Sequence, residues 1–262
     1  MRVTLLGTGG SAGVPMLGGA DGRGDWGACD PAEPRNLRSR ASILIDGGQG
    51  GLLVDTSPDL RQQMLASSVR DVSAILFTHA HADHILGVDD VRGLNRMMGR
   101  PLEAFGRAKV LAEIQGRFSY AFLPWQPPGF FRPVLLPMPA EPGDTLTAAG
   151  MQVRVFDQDH GFSRTLGLRT GAFGYSTDAV ELDETALAVL QGVDTWVVGC
   201  FQRQTHHTHA WLGRVYEWVA RLRPRRTVLT HMGVDMDYGW LQANLPPGIE
   251  AGFDGMVLEV PG

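Results

Sequence analysis

The sequence predicts an α/β fold in which sheets carry helices on their outer faces. Short apolar, β-branched runs recur along the chain, and four longer segments show helical periodicity. The two kinds follow one another as strands, helices, strands, helices, with no exact internal repeat. The first strand is read at Val3 to Leu6, which runs into Gly7, Gly9 and Gly10. Ser42 to Ile45 and Gly51 to Val54 are the next two, each a short apolar run closed by Asp. Pro58 to Ala66 is the first helix, with Leu60 and Met64 four apart. Ala74 to Phe77 is an uninterrupted apolar run of strand length. Val88 to Met98 repeats at Val88, Val91, Leu94 and Met98, and Ala108 to Phe118 at Val110, Leu111, Ile114 and Phe118, so both are helices. Met151 to Phe156, Thr165 to Leu168, Ala172 to Tyr175, Thr195 to Val198 and Thr227 to Leu229 are read as strands. The helix His209 to Leu222 lies before the last of them. Pro224 ends that helix, and Arg221, Arg223, Arg225 and Arg226 suit its C-terminal dipole. Gly255 to Val260 is the final strand. The 34 glycines fit many tight turns lining a site.

One stretch breaks the pattern. Residues 124 to 142 hold seven of the 16 prolines, with Trp125, Phe130, Phe131, Leu135, Leu136 and Met138 among them, which excludes regular helix and central strand. We read residues 1 to 262 as one domain with this segment as a semi-rigid apolar lid or partner-binding flap. A loop wrapped on the core is the alternative. An exposed apolar flap also predicts self-association as a homodimer.

Composition narrows the function classes. With 262 residues, 44% hydrophobic and 19% charged, the chain can bury a sizeable core. No run approaches the ~20 apolar residues of a membrane span, and the opening run is too short for a signal peptide, so a cytoplasmic protein without a membrane partner is expected. Two distant cysteines, Cys29 and Cys200, exclude a disulfide framework and a Cys-rich zinc knuckle. A net charge of −5 offers nucleic acid no general attraction.

The chemistry is concentrated in Thr78-His79-Ala80-His81-Ala82-Asp83-His84, directly after the apolar run ending at Phe77. A helix would turn His79 and His81 to different faces, whereas a strand or the loop leaving it aims both the same way. Imidazole with carboxylate suits zinc, manganese or iron(II) rather than calcium or magnesium. Three more such residues follow apolar strands: His160, Asp178 and His231. His79, His81 and His160 make one three-nitrogen set, and Asp83, His84 and His231 a second. Asp178 can bridge them, leaving each of two divalent metals room for a shared water or hydroxide.

With those residues in place, the chain resembles the metallo-β-lactamase-fold hydrolases, through H-x-H-x-D-H and the later His, Asp and His in that order. The opening Leu6-Gly7-Thr8-Gly9-Gly10-Ser11-Ala12-Gly13-Val14-Pro15 looks like the phosphodiesterase branch, which includes RNase Z and the phosphoribosyl cyclic phosphodiesterases. The ending, from Leu245 to Met256, is similar to the second group. The resemblance implies a four-layer αβ/βα sandwich of two mixed sheets flanked by helices, with a dinuclear site at one edge. It also implies that His209, in Thr208-His209-Ala210-Trp211-Leu212, protonates the leaving oxygen, a task an imidazole can perform. His206 competes for that role, and His207 is read as surface. The structural zinc of the cyclic phosphodiesterases is not expected, since Asp21 to Arg40 holds only Cys29 and Val234 stands where a His would be needed. Arg35, Arg38 and Arg40 are candidates for holding that loop or contacting a phosphate, and Trp26, Tyr238 and His206 for substrate contacts.

The expected function is therefore a dinuclear metal-dependent phosphodiesterase acting on a small phosphodiester of cyclic, sugar or nucleotide type. Asp83 and Asp178 hold metal, a shared hydroxide attacks phosphorus, and His209 is the acid. The rival readings are tRNA 3′-end processing, thioester or β-lactam hydrolysis, and a scaffold that has lost its metals. Nucleic acid is a poor partner for a Pro-rich arm whose one basic residue is Arg132, against Glu141. A scaffold would show damaged ligand positions, and every position is filled.

Overall fold

A computed structural model describes residues 1–127 and 129–261; Pro128, inside the Pro-rich segment, lies outside the described residues. Alternation along the strands builds the architecture. In β1 (Arg2–Gly7), Val3 and Leu5 face one side and Leu6 the other. Ile43 and Ile45 oppose Leu44 in β2 (Ser42–Asp46), Leu52 and Val54 oppose Leu53 in β3 (Gly51–Val54), and Leu76 opposes Ile75 in β4 (Ala74–Leu76). Both faces are apolar, so this sheet must be covered on both sides. Its seven strands are completed by β5 (Leu102–Gly106), β6 (Leu135–Pro139) and β14 (Val257–Glu259), in the order β14-β1-β2-β3-β4-β5-β6.

The second sheet has the order β13-β12-β11-β10-β9-β8-β7. Its strands are β7 (Thr145–Ala148), β8 (Met151–Asp159), β9 (Arg164–Thr170), β10 (Phe173–Ser176), β11 (Thr195–Gly199), β12 (Arg226–Thr230) and β13 (Ile249–Ala251). Val153, Val155, Leu166, Leu168, Val197 and Val228 meet the inner face of the first sheet in one buried cluster. Outside the first sheet lie α1 (Leu60–Ala66), the short α2 (Ala82–Ile85), α3 (Val91–Met98) and α4 (Ala108–Arg117). Outside the second lie α5 (Glu184–Leu190), α6 (Leu212–Leu222) and α7 (Tyr238–Asn244). The result is the four-layer sandwich of two mixed sheets. Among the described residues, no helix is long and apolar enough to cross a membrane.

Several elements depart from the sequence reading. The helix expected from Val88 starts at Val91, behind a 3-10 turn Leu86–Asp90, and the helix expected from His209 starts at Leu212. β5, β7, β13, α5 and α7 are additional to that reading. Part of the Pro-rich segment is the edge strand β6, parallel to β5. An edge tolerates Pro137 and Pro139, which have no N–H for an outer neighbour. The rest of the segment is tied down locally. Arg132 donates to the carbonyls of Tyr120, Leu123 and Pro124, Arg96 donates to that of Phe130, and Trp125 stacks on Phe130 at 4.9 Å.

The glycine-rich stretch after β1 seams the sheets together. Gly9 N–H donates to the Ser39 carbonyl (2.7 Å) and Gly10 N–H to that of Met232 (3.0 Å). The approach is close: a Cβ on Gly7 would lie 2.1 Å from the Arg40 carbonyl oxygen, and one on Gly10 would lie 2.8 Å from the Phe201 ring. This seam places the ends of β4, β10 and β12 at one edge.

Candidate metal centre

The His-rich stretch leaves the C-terminal end of β4 as a loop and enters α2, so His79 and His81 precede the helix while Asp83 and His84 lie within it. One fully buried carboxylate organises the turn. Asp55, just past β3, accepts from Thr78 N–H (2.8 Å), from Thr78 Oγ1 (2.7 Å) and, at 2.7 Å, from Nδ1 of His84. With Nδ1 so engaged, His84 turns Nε2 toward Asp83 and Asp178, 3.2 Å from an oxygen of each. Nδ1 of His79 lies 3.0 Å from Thr78 Oγ1, which directs its Nε2 inward. Asp55 is not among the residues that the sequence singles out. Its signal, an Asp directly after the apolar run Gly51 to Val54, is the same as that of Asp178, but a single such Asp is ordinarily a cap.

The second sheet supplies the facing groups. His160 follows β8 and donates Nδ1–H to the Thr208 carbonyl (2.7 Å). Asp178 follows β10, with Thr177 Oγ1 donating to it at 2.7 Å, and His231 follows β12 with Nε2 3.2 Å from Asp178 and 3.7 Å from Asp83. Asp55, Asp178 and His231 all adopt left-handed backbone, with φ of 64°, 50° and 54°. Such conformations are costly for side chains with a Cβ and gather at functional sites.

The ligand atoms of His79, His81 and His160 lie within 4.8 Å of one another. So do those of Asp83, His84 and His231, while Asp178 falls within the same distance of His79 with His84 and of His160 with His209. The electrostatics are those of an unneutralised donor cluster. Burial, with His84 adding to it, holds His79 well below the ordinary histidine value, and burial with His160 lowers His81. Burial opposes charge on His84, but Asp178 and Asp55 outweigh it and hold its pKa well above normal. Burial would likewise raise Asp178 and Asp83, but His231 and His84 overcome it and hold both below the usual carboxylate range. Nε2 of His79, His84 and His231 are buried without a hydrogen-bond partner. Converging orphaned nitrogens beside two carboxylates are what a divalent cation satisfies, so the donor set fits such ions.

His209 stands at the rim of the cluster. Its Nδ1 is 3.6 Å from Asp178, and its ring stacks against His231 (4.9 Å) and Phe201 (5.0 Å). It lies in the loop before α6, not at the helix N-terminus. Burial first and His231 second push its pKa down to about 3. His206 accepts the backbone N–H of Thr208 and His209 on Nδ1 (3.3 and 3.2 Å), so it shapes the loop that carries His209.

The remaining candidates are placed apart from the cluster. Arg38 is 2% exposed and spent on the Met236 carbonyl (2.6 Å) and Asn36 (3.2 Å), which makes it an interior clasp instead of a phosphate contact. Arg35 pairs with Glu33 and lies 4.1 Å over the Tyr238 ring, so both of these expected substrate contacts are engaged with each other. Arg40 pairs with Asp59 at 3.1 Å. The three arginines line a cavity of about 640 Å³ whose walls include none of the seven clustered residues.

Comparison with known proteins places this geometry in context. A model of the beta-lactamase superfamily domain matches residues 51–232. A PhnP-family diphosphatase of known crystal structure superposes with a TM-score of 0.88 at 28% identity, covering 99% of this chain and 98% of that one. An octanoyltransferase of Porphyromonas gingivalis is 30% identical over 261 residues, which are 98% of this chain and 51% of that protein. A ribonuclease Z of Methanosarcina acetivorans is 26% identical over 166 residues, 61% of this chain and 45% of its own length. The chain thus spans about half the length of these two curated relatives.

Proposed function

The chain belongs to the beta-lactamase superfamily, and from that premise we propose that it is a dinuclear metal-dependent phosphodiesterase acting on a small phosphodiester of cyclic, sugar or nucleotide type. The observation that carries the reading is the convergence of two three-residue donor sets with Asp178 beside both and His209 3.6 Å from Asp178. The likeness to the PhnP-family diphosphatase along almost the whole chain favours chemistry at phosphorus.

His79, His81 and His160 would hold one cation, and Asp83, His84 and His231 the other, with Asp178 reaching both. Zinc and manganese suit this mixture of nitrogen and oxygen. When bound, such ions supply charge neutralisation at the phosphoryl oxygens and acidify water. Asp55 keeps His84 in the tautomer that presents Nε2, and the Thr208 carbonyl does the same for His160. Asp83 and Asp178, committed as ionised donors, do not serve as bases. His209 enters neutral, because burial holds it down. An arriving phosphodiester anion counters that burial, so that the imidazole can take up a proton released by the water consumed in the hydrolysis and pass it to the leaving oxygen.

Two other readings have specific observations attached. The RNase Z likeness suggests tRNA processing. Arg132, the one cation of the Pro-rich segment, has its donors engaged by backbone carbonyls, so the segment brings a single charge to a phosphate backbone and that charge is already tied to the fold. The octanoyltransferase likeness suggests acyl transfer. Cys29 and Cys200 are both buried, with burial pushing the Cys200 thiol up, so neither suits a thiolate nucleophile. A turnover panel tests all three: manganese-loaded protein with an aryl phosphodiester, ribose cyclic phosphates, cyclic nucleotides, precursor tRNA and an octanoyl thioester. Hydrolysis of a small diester is expected, and inactivity toward every diester overturns the reading.

A further inference from the structure

The imidazoles of the two donor sets are not held alike. His79 has Thr78 Oγ1 against Nδ1, His160 has the Thr208 carbonyl and His84 has Asp55, while His231 has no partner on Nδ1 but is buried. His81 is exposed and makes no side-chain hydrogen bond among the described residues, so its aim depends on the backbone that carries it. That backbone is held on its C-terminal side by the His84 N–H, which donates to the His81 carbonyl (3.0 Å), and between the two histidines by a side chain from another helix. Arg117, in the last turn of α4, donates Nη1–H to the carbonyl of Ala80, the residue between His79 and His81. A basic residue there would ordinarily serve the helix dipole or an i,i+4 pair, and Arg117 does lie 3.6 Å from Glu113. Neither role calls for a bond to a carbonyl 37 residues back in the chain. Asp55 clamps the same loop from inside at its two ends, Thr78 and His84, so that Ala80 and His81 lie in the span between. His84 and the neighbouring Asp83 therefore sit at an end that Asp55 anchors, whereas His81 lies in the span to which Arg117 supplies the side-chain restraint.

We propose that Arg117 is a positioning residue for the half-site of His79, His81 and His160: by fixing the Ala80 carbonyl it sets the aim of His81, and so the affinity of that half-site for a divalent cation, without acting on the other. This rests on the cluster being a metal centre. The test is zinc titration in competition with a chromophoric chelator. Wild type is expected to take two equivalents. Arg117→Ala is expected to take one with unchanged affinity and the other about 10- to 100-fold more weakly, the usual cost of losing an outer partner of a metal ligand. Arg117→Lys, which keeps a cationic donor, should recover part of the loss. In a His81→Ala background Arg117→Ala should cost nothing more, because the two act through one nitrogen. Unfolding of the chelated proteins should coincide, since Arg117 is exposed. Unchanged binding of both equivalents by Arg117→Ala overturns the proposal, and so does equal weakening of both or a loss undiminished without His81. Zinc uptake by wild type at neither half-site would bring down the metal-centre reading, and the proposal with it.

Discussion

The histidine and aspartate cluster and the clasp around Arg38 both bury polar groups beside the loop that follows β12, and they differ in what is left unbonded. In the clasp, Arg38 donates to the carbonyls of Met236 and Gly233 and to Asn36. Asn36 in turn donates to Asp237 (2.7 Å) and accepts from Tyr238 N–H (2.8 Å), and Cys29 Sγ–H reaches the Val234 carbonyl (3.3 Å). Arg38 Nε is the one atom of this group without a partner. In the cluster, the nitrogens pointing inward on His79, His84 and His231 have none. A buried polar region that closes on itself holds the chain together, whereas one that leaves several donors aimed at a common point is built for something else to complete it.

Removing that completing ion is the strongest way to break the comparison. Chelation should abolish turnover, and adding back zinc or manganese at a thousandfold excess over Kd should restore it and raise the melting temperature by roughly 10 °C, about 4 kcal/mol. A melting curve indifferent to metal would make the two regions alike. Next in size, His209→Ala should lower kcat about 10²- to 10⁴-fold for a diester with an alkoxide leaving group and far less for a nitrophenolate ester, at unchanged metal content. An equal loss on both substrates would remove His209 from the acid role. Arg38→Ala should lose about 2 to 4 kcal/mol in urea unfolding, since it strands the buried Met236 carbonyl and leaves a cavity. Metal stoichiometry and turnover per folded molecule should stay the same, and a loss of bound metal instead would join the clasp to the site.

The smallest effect concerns Asp237, which caps α7 by accepting Trp240 N–H (2.7 Å) and also binds Asn36 and the Asp30 N–H. Burial raises its pKa, but the Asp30 and Trp240 amides and Asn36 outweigh that and lower it. A carboxylate depressed in the folded state stabilises above its unfolded value of about 3.9 and stops doing so as pH falls through the folded one. Asp237→Ala should therefore cost about 1 kcal/mol at pH 7, and the gap from wild type, followed by urea unfolding, should shrink below about pH 4.

The contrast between the regions also explains what is legible in the sequence. Residues such as His160, Asp178 and His231 each follow an apolar strand, and strand ends in a layered fold collect at an edge, so chain order alone brings them together. Asp55 follows an apolar strand as well, but it acts on His84 and Thr78 through hydrogen bonds, which nothing in the sequence distinguishes from an ordinary cap. Arg38 looks like a site residue because sequence does not tell which of three neighbouring arginines turns inward. β5, Leu-Glu-Ala-Phe-Gly, has no β-branched residue, and β6 carries two prolines that only an edge position allows. The start of α6 falls later than its pattern suggests because His209 and Ala210 continue a permissible helical run. The chain there is instead used by the backbone contacts of Phe201 and Ala179 to Ala210.

The left-handed backbone at Asp55, Asp178 and His231 has a consequence for mutational drift. Each such residue costs on the order of 1 to 3 kcal/mol that a glycine would not, so glycine at Asp178 or His231 relieves strain while it removes a donor. In metal-free protein that relief opposes the cost of stranding His84 and Thr177, the buried partners of Asp178. The balance of the two sets how much of the strain at this edge a bound cation has to offset.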